Sequence, residues 1–233
     1  MNRDIIIACD FSSTAQTISF LNRFGNERPY VKIGMELFYA EGPAIVRALK
    51  ARGHRIFLDL KLHDIPTTVK KTMRVLSELG ADMINLHAGG GRAMMEAALD
   101  GLEGFSGPRP LIIGVTMLTS TSQESMREEL YIERPLPEVV IGYSKHCKDS
   151  GLDGVVCSPL EAAGVHAACG NGFLTVTPGI RFAEESVGDQ VRVMDPAGAR
   201  AAGSDFIVVG RSITQAGDPA AAWRRCKHDF LEV

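Results

Sequence analysis

Residues Arg55–Ala88 read RIFLDLKLHDIPTTVKKTMRVLSELGADMINLHA. The stretch opens on a short apolar run, Arg55–Lys61, and closes on another, Met83–Ala88. Runs that are apolar on both faces fit buried parallel strands. Between them, Thr67–Leu79 has the spacing of an amphipathic helix. Pro66 stands at a favoured first-turn position, and Gly80 supplies the stop. This is one strand–helix–strand unit.

The unit recurs along the chain. Further strand-like runs are Asp4–Asp10, Tyr30–Met35, Leu111–Met117, Gly154–Pro159, Phe173–Gly179 and Phe206–Gly210. Helical patterns cover Thr14–Phe24, Pro43–Arg52, Arg92–Leu102, Pro137–Asp149, Leu160–Cys169, Ala197–Ala202 and Ala220–Phe230. Gly53, Gly151, Gly170 and Gly203 repeat the stop signal. Eight such units predict an α/β fold, a single (β/α)8 barrel spanning residues 1–233, near the lower end of length for that architecture. An open, doubly wound sheet is the competing arrangement, because periodicity does not separate the two. Ser106–Pro110 and Leu118–Pro135 read as polar loops, and no linker-like tract divides the chain.

Composition narrows the function classes. Apolar residues make up 45% and charged residues 23%, which excludes disorder, collagen-like repeats and coiled coil. A net charge of -3 lacks the electrostatic footprint of a nucleic-acid binder. The five cysteines have no C-x-x-C pair. They read as reduced, buried thiols of a cytosolic protein rather than a zinc site. The N-terminal apolar run, Ile5–Cys9, is too short for a secretory signal, and no stretch approaches a membrane span.

In barrels of this type, chemistry sits at the C-terminal ends of the strands. The polar residues there are Asp10, Lys32, Asp59, Lys61, His87, Thr116, Thr119, Ser158, Thr177 and Arg211. Asp59 and Lys61 are two apart on a strand and so share a face. Asp64 follows where the chain turns out into a loop. Such charges are costly at a buried strand end unless paired; at about 4 Å and an effective dielectric of about 20, a pair is worth roughly 4 kcal/mol. A structural ion pair would explain any one Asp–Lys couple. Three charges at one otherwise apolar strand end favour function. Lys32 lies between Val31 and Ile33, where a lone lysine usually snorkels to solvent. In a closed barrel it would instead meet the Asp59–Lys61 set.

A second signal is Gly210-Arg211, which ends the last strand. Glycine lets backbone N–H groups approach an anion, and arginine grips it bidentately. With Thr177–Arg181 and Gly188-Asp189-Gln190 after the seventh strand, it favours a phosphorylated ligand. His87 reads as a structural rim histidine, and Gly89–Gly91 as a flexible turn. Trp223 is expected to pack the last helix on the barrel. His63 receives no role.

The sequence resembles the bacterial-type orotidine 5′-phosphate decarboxylase family essentially end to end. The motif FLDLKLHDIPTTV (Phe57–Val69) is the most specific element. Supporting pieces are ACD (Ala8–Asp10), VKIGMELF (Val31–Phe38), LTSTS (Leu118–Ser122), TPGIR (Thr177–Arg181), GDQ-x-R (Gly188–Arg192) and VVGRSIT (Val208–Thr214). Leu62, Met194-Asp195-Pro196 and Ser212 depart from the common pattern, and none is a motif charge. The resemblance implies decarboxylation of orotidine 5′-monophosphate to uridine 5′-monophosphate and CO2, the last step of de novo pyrimidine biosynthesis, with no metal or other cofactor. It implies that Lys61 stabilises the carbanion and protonates C6, and that Asp59 lies near the leaving carboxylate. Lys32 would hold the network and reach the ribose, and Asp10 would bind ribose or base. Asp64, Ile65 and Thr68 would serve the neighbouring subunit's site in a homodimer. Thr119 would cover the base, and Arg181, Gln190, Gly210 and Arg211 would grip the phosphate. A cytoplasmic location follows, with neither nucleic acid nor membrane as partner.

Three rival readings differ in the sequence features they require. The 3-keto-gulonate 6-phosphate decarboxylases and hexulose phosphate synthases share the Asp-x-Lys-x-x-Asp arrangement but use magnesium. They carry a glutamate ligand where this chain has Lys32, and lack the continuation His63–Pro66. A non-catalytic nucleotide-binding barrel would have lost Lys61 or an aspartate. A protein-interaction domain leaves the rim charges unexplained.

Overall fold

The computed structural model describes residues 3–182, 184 and 193–232. Eight parallel strands form a closed barrel in chain order. They are β1 (Asp4–Ala8), β2 (Tyr30–Gly34), β3 (Ile56–Leu62), β4 (Met83–His87), β5 (Leu111–Val115), β6 (Gly154–Val156), β7 (Leu174–Thr177) and β8 (Phe206–Val209). Closure comes from β1 pairing with β8, Asp4 opposite Phe206 through Ile7 opposite Val209. That pairing excludes the open sheet. Most strands stop one to three residues before the expected run ends. The polar residues that follow leave the ladder and form the rim.

Period-two alternation builds two apolar layers. Ile6, Ala8, Tyr30, Phe57, Met83, Ile113, Val176, Phe206 and Val208 fill the barrel interior. Their neighbours, such as Ile5, Ile7, Val31, Ile33, Leu58, Ile84, Ile207 and Val209, pack outward against the helices. Those helices are α1 (Thr14–Asn22), α2 (Met35–Glu41), α3 (Ala44–Ala51), α4 (Pro66–Ser77), α5 (Arg92–Asp100), α6 (Gln123–Glu128), α7 (Leu136–Asp149), α8 (Ala162–Cys169), α9 (Pro196–Ala201), α10 (Arg211–Thr214) and α11 (Pro219–Leu231). Trp223 of α11 meets Phe24, just past α1, edge-on at 5.9 Å between ring centres, the packing role expected of it. All five cysteines are buried. Burial pushes the thiols of Cys9, Cys147 and Cys226 up to about 12, which keeps them protonated and unreactive.

Two short helices, α2 and α6, were not expected. α2 begins at Met35, which the sequence places at a strand end. α6 interrupts the polar loop 118–135, capped by Ser122, whose hydroxyl accepts from the Ser125 N–H. α10 is a single turn after Gly210. Seven residues or fewer give too little periodicity to separate helix from loop. Ala88–Gly90 forms a 3-10 turn into α5, a more ordered connection than the flexible turn expected there.

The N-terminal end of the barrel is held by a repeated device. Gly80-Ala81-Asp82, Gly151-Leu152-Asp153 and Gly203-Ser204-Asp205 each precede an even-numbered strand. Each glycine is left-handed, with φ of 77°, 88° and 91°. Each aspartate accepts a backbone N–H from the start of the preceding odd strand: Ile56 at 2.7 Å, Ile112 at 2.7 Å and Thr175 at 2.8 Å. The carboxylates thus satisfy donors that begin a ladder and have no partner strand residue.

Asp205 is buried and also accepts from the Thr175 hydroxyl at 3.0 Å. Asp205→Ala leaves a buried N–H unpaired, and we expect it to lower the unfolding free energy by about 2 kcal/mol. Urea denaturation checks this beside the exposed control Asp149→Ala. A loss below about 0.5 kcal/mol, the range of surface substitutions, would overturn the role given to this carboxylate.

Candidate active site

The C-terminal end of the barrel opens into a cavity of about 700 Å³. Its floor is apolar, from Phe57, Val115, Val156 and Val208, and its walls are charged. Eight of the residues singled out in the sequence line it: Asp10, Lys32, Asp59, Lys61, Thr119, Arg181, Gly210 and Arg211. They come from the residues after β1, from β2 and β3, from the loop after β5, from the residues after β7 and from the β8–α10 junction.

The charges form one chain of alternating sign. Lys32 Nζ lies 2.8 Å from Asp10 Oδ1 and 3.2 Å from Asp59 Oδ2. Lys61 Nζ donates to the other Asp59 oxygen, Oδ1, at 2.6 Å. Lys32 therefore does not snorkel; its side chain is 11% exposed and points into the barrel. Burial alone would lower its pKa, but the carboxylates of Asp59 and Asp10 outweigh burial and hold it above the ordinary lysine value. Burial alone would raise the pKa of Asp59. Lys32 and Lys61 outweigh it and hold that carboxyl below the usual range. Gly34 ends β2 beside this pair, and a Cβ there would come within 3.2 Å of both Asp10 Oδ1 and Lys32 Nζ. The close approach of the ion pair to the backbone explains the glycine.

Lys61 and Asp59 do share a face, as two-residue spacing predicts, but the strand between them is irregular. The β3–β4 ladder places Leu58 opposite Ile84 and Leu62 opposite Leu86, so four steps of β3 span two of β4. Lys61 adopts φ 51°, a left-handed conformation unusual outside glycine. Its N–H donates to Asn85 Oδ1 at 2.8 Å, and Asn85 Nδ2 donates to Asp59 Oδ1 at 2.7 Å. Asn85 was absent from the sequence reading. Its signal was a polar residue two positions after the inward-facing Met83, in an otherwise apolar strand.

Asp64, Ile65 and Thr68 do not line the cavity of their own chain. All three are exposed at the start of α4, and Ile65 is 67% exposed despite its apolar side chain. Asp64 accepts from the Ile65 N–H at 2.7 Å. Gln190, with Gly188, Asp189 and Arg192, lies outside the described residues. His63 and His87 face each other with ring centres 5.4 Å apart. Burial, then the neighbouring His63 and Lys61, push the pKa of His87 down. Among the described residues no group of three or more His, Cys, Asp or Glu side chains is arranged to hold a metal ion. None of their helices is long and apolar enough to cross a membrane.

A family model described as "Orotidine 5'-phosphate decarboxylase / HUMPS family" matches residues 3–226. The chain belongs to that family. An orotidine 5'-phosphate decarboxylase of Bacillus caldolyticus is 54% identical over 233 residues, covering 99% of this chain and 96% of the relative. One of Bacillus cereus (strain G9842) is 54% identical, covering 100% and 99%. Among solved structures, orotidine 5'-phosphate decarboxylase from Lactobacillus acidophilus superposes with a TM-score of 0.89 at 40% identity, covering 99% of this chain and 100% of that one. An uncharacterized conserved protein from Geobacillus kaustophilus gives 0.87 at 49% identity, covering 97% and 99%. Fold and family therefore agree with the expectation from sequence.

The charge chain carries a pH signature. Asp59 has a lower pKa folded than unfolded, so its contribution to stability is complete above the ordinary carboxylate range and is lost as pH falls through the depressed value. Lys32 is raised, so its contribution is complete below the ordinary lysine range and is lost as pH rises through the raised value. At pH 7 we expect Asp59→Asn to cost about 3 kcal/mol, the scale for removing one partner of a buried ion pair. The parent's advantage should shrink as the pH is taken below about 4. Urea titrations of both proteins across pH check this, and a difference independent of pH would contradict it.

Proposed function

We propose that this chain is a carboxy-lyase that converts orotidine 5′-monophosphate to uridine 5′-monophosphate and CO2, with residues 1–233 acting as one catalytic unit. One observation carries the reading: a carboxylate held between two lysine ammonium groups shares its cavity with the Gly210–Arg211 element. A substrate with an anionic reacting group at one end and a phosphate at the other fits such a site. Membership of the family and the names of the relatives support the same activity.

In this reading the phosphate docks on Gly210, Arg211 and Arg181, with Gln190 joining them, and Thr119 covers the base. Docking places the C6 carboxylate beside Asp59 and Lys61. The C6–carboxyl bond breaks, its electron pair stays on C6, and CO2 leaves. Lys61 stabilises that pair as it forms and then transfers a proton from Nζ to C6; solvent returns the proton. Lys32 and Asp59 fix the charge pattern in advance, so little reorganisation accompanies the reaction. Phosphate contacts remote from C6 contribute by holding the reactive geometry. The step uses the chain's own groups, without metal or organic cofactor.

Lys32 also separates this reading from the magnesium-dependent sugar-phosphate members. Its ammonium stands where their glutamate would bind the cation, and a second positive charge there repels a metal. The exposure of Asp64, Ile65 and Thr68 supports a homodimer in which they complete the partner's site. The reaction is the last step of pyrimidine nucleotide synthesis, and a cytoplasmic location suits it.

With EDTA present, purified protein is expected to decarboxylate orotidine 5′-monophosphate, and Lys61→Ala to lose at least about 10⁴-fold in kcat. Turnover only after magnesium is added would move the sugar-phosphate reading to the front. For the shared site, mixing the inactive variants Lys61→Ala and Asp64→Ala should restore part of the activity, because a mixed dimer contains one intact site. No recovery on mixing, with a 25 kDa species on chromatography, would reject the homodimer.

A further inference from the structure

Asn85 is fully buried in the middle of β4 and is not among the residues lining the cavity. A primary amide there is costly unless both its ends are paired. Both are, and the partners are the Lys61 backbone and the Asp59 carboxylate. The carbonyl accepts the N–H of Lys61 at 2.8 Å, where the extra residues of β3 leave the ladder. The NH2 donates to Asp59 Oδ1 at 2.7 Å, the same oxygen that receives the Lys61 ammonium.

We propose that Asn85 is a positioning residue for the decarboxylation: it holds the left-handed bulge at Lys61 and the carboxylate plane of Asp59 in one rigid arrangement. The inference rests on the activity proposed above. A left-handed lysine persists only where its surroundings over-determine it. The bulged N–H needs an acceptor, and Asp59 Oδ1, which Lys32 does not reach, needs a donor that is not the catalytic ammonium. A short primary amide supplies both from one side chain. Aspartate would keep the acceptor but set a second carboxylate against the first. Leucine would keep the volume and supply neither. Because the residue is out of reach of the ligand, its effect must pass through Asp59 and Lys61 to the reacting bond.

The test measures kcat and KM for orotidine 5′-monophosphate, Kd for uridine 5′-monophosphate, and thermal unfolding, in the parent and in Asn85→Ala, Asn85→Leu and Asn85→Asp. Rates are normalised to sites that bind the product. A positioning role lowers kcat by about ten- to a hundredfold, the scale of small misplacements at a reacting centre. KM and product Kd should stay within about threefold of the parent. The Asp variant, which keeps shape and acceptor, should lose at least as much kcat as the Leu variant. A kcat per binding site within about threefold of the parent in every variant that folds, with only the unfolding midpoint lowered, would overturn the proposal in favour of a purely structural amide. A rise in KM and product Kd at unchanged kcat would overturn it in favour of a ligand contact. A parent that does not decarboxylate the substrate would instead remove the activity on which the proposal rests.

Discussion

A carboxylate taken out of water must be met by donors, and Asp59 is met by three from three strands. Lys32 comes from β2, Lys61 from β3 itself and Asn85 from β4. Such a group exists because β2, β3 and β4 are neighbours in the sheet and set these side chains side by side on one face. The dependence also runs outward. Lys32 keeps its charge while buried because Asp59 and Asp10 flank it, and Gly34 is small because that ion pair lies against it. Removing Asp59 would leave two ammonium groups facing one another at the cavity mouth, with only Asp10 still paired to one of them. Buried ion pairs add little net stability. This arrangement is better understood as a fixed electric field than as a source of fold stability.

The sequence made the parallel strands legible because each run is apolar on both faces, which only a sheet covered inside and outside requires. Closure was expected from the count of eight units and not from any local pattern. The β1–β8 pairing joins the ends of the chain, and no local pattern encodes it. Rim charges such as Asp59 and Lys61 were readable from alternation, yet the left-handed turn at Lys61 was not, because lysine gives no sign of it. Asn85 was readable by the same alternation and was overlooked in a run taken as wholly apolar. The glycines before β4, β6 and β8 were read as helix stops. The aspartate two residues after each, which ties the strands together, forms a repeat visible only when the three segments are set side by side. Ile65 and Thr68 stood out by family motif alone, since both are exposed on their own chain, whereas Asp64 was also legible as the third charge at the end of β3.

The two ends of the barrel use the same backbone region for opposite purposes. At the N-terminal end the left-handed residues are glycines, which adopt that conformation freely, and the aspartates beside them satisfy strand-start N–H groups. At the C-terminal end Gly179 adopts it too, with φ 82°, but Lys61 does so without being a glycine, at a cost of about 1–3 kcal/mol. A glycine at position 61 would relieve that cost and remove the ammonium. A lysine in regular β geometry would keep the ammonium but change the path from its Cα to Asp59. The bulge sets the path by which Lys61 Nζ reaches Asp59 Oδ1. Asn85 supplies the hydrogen bond that the interrupted ladder does not. At position 61 the strained residue is the one whose charge faces the cavity.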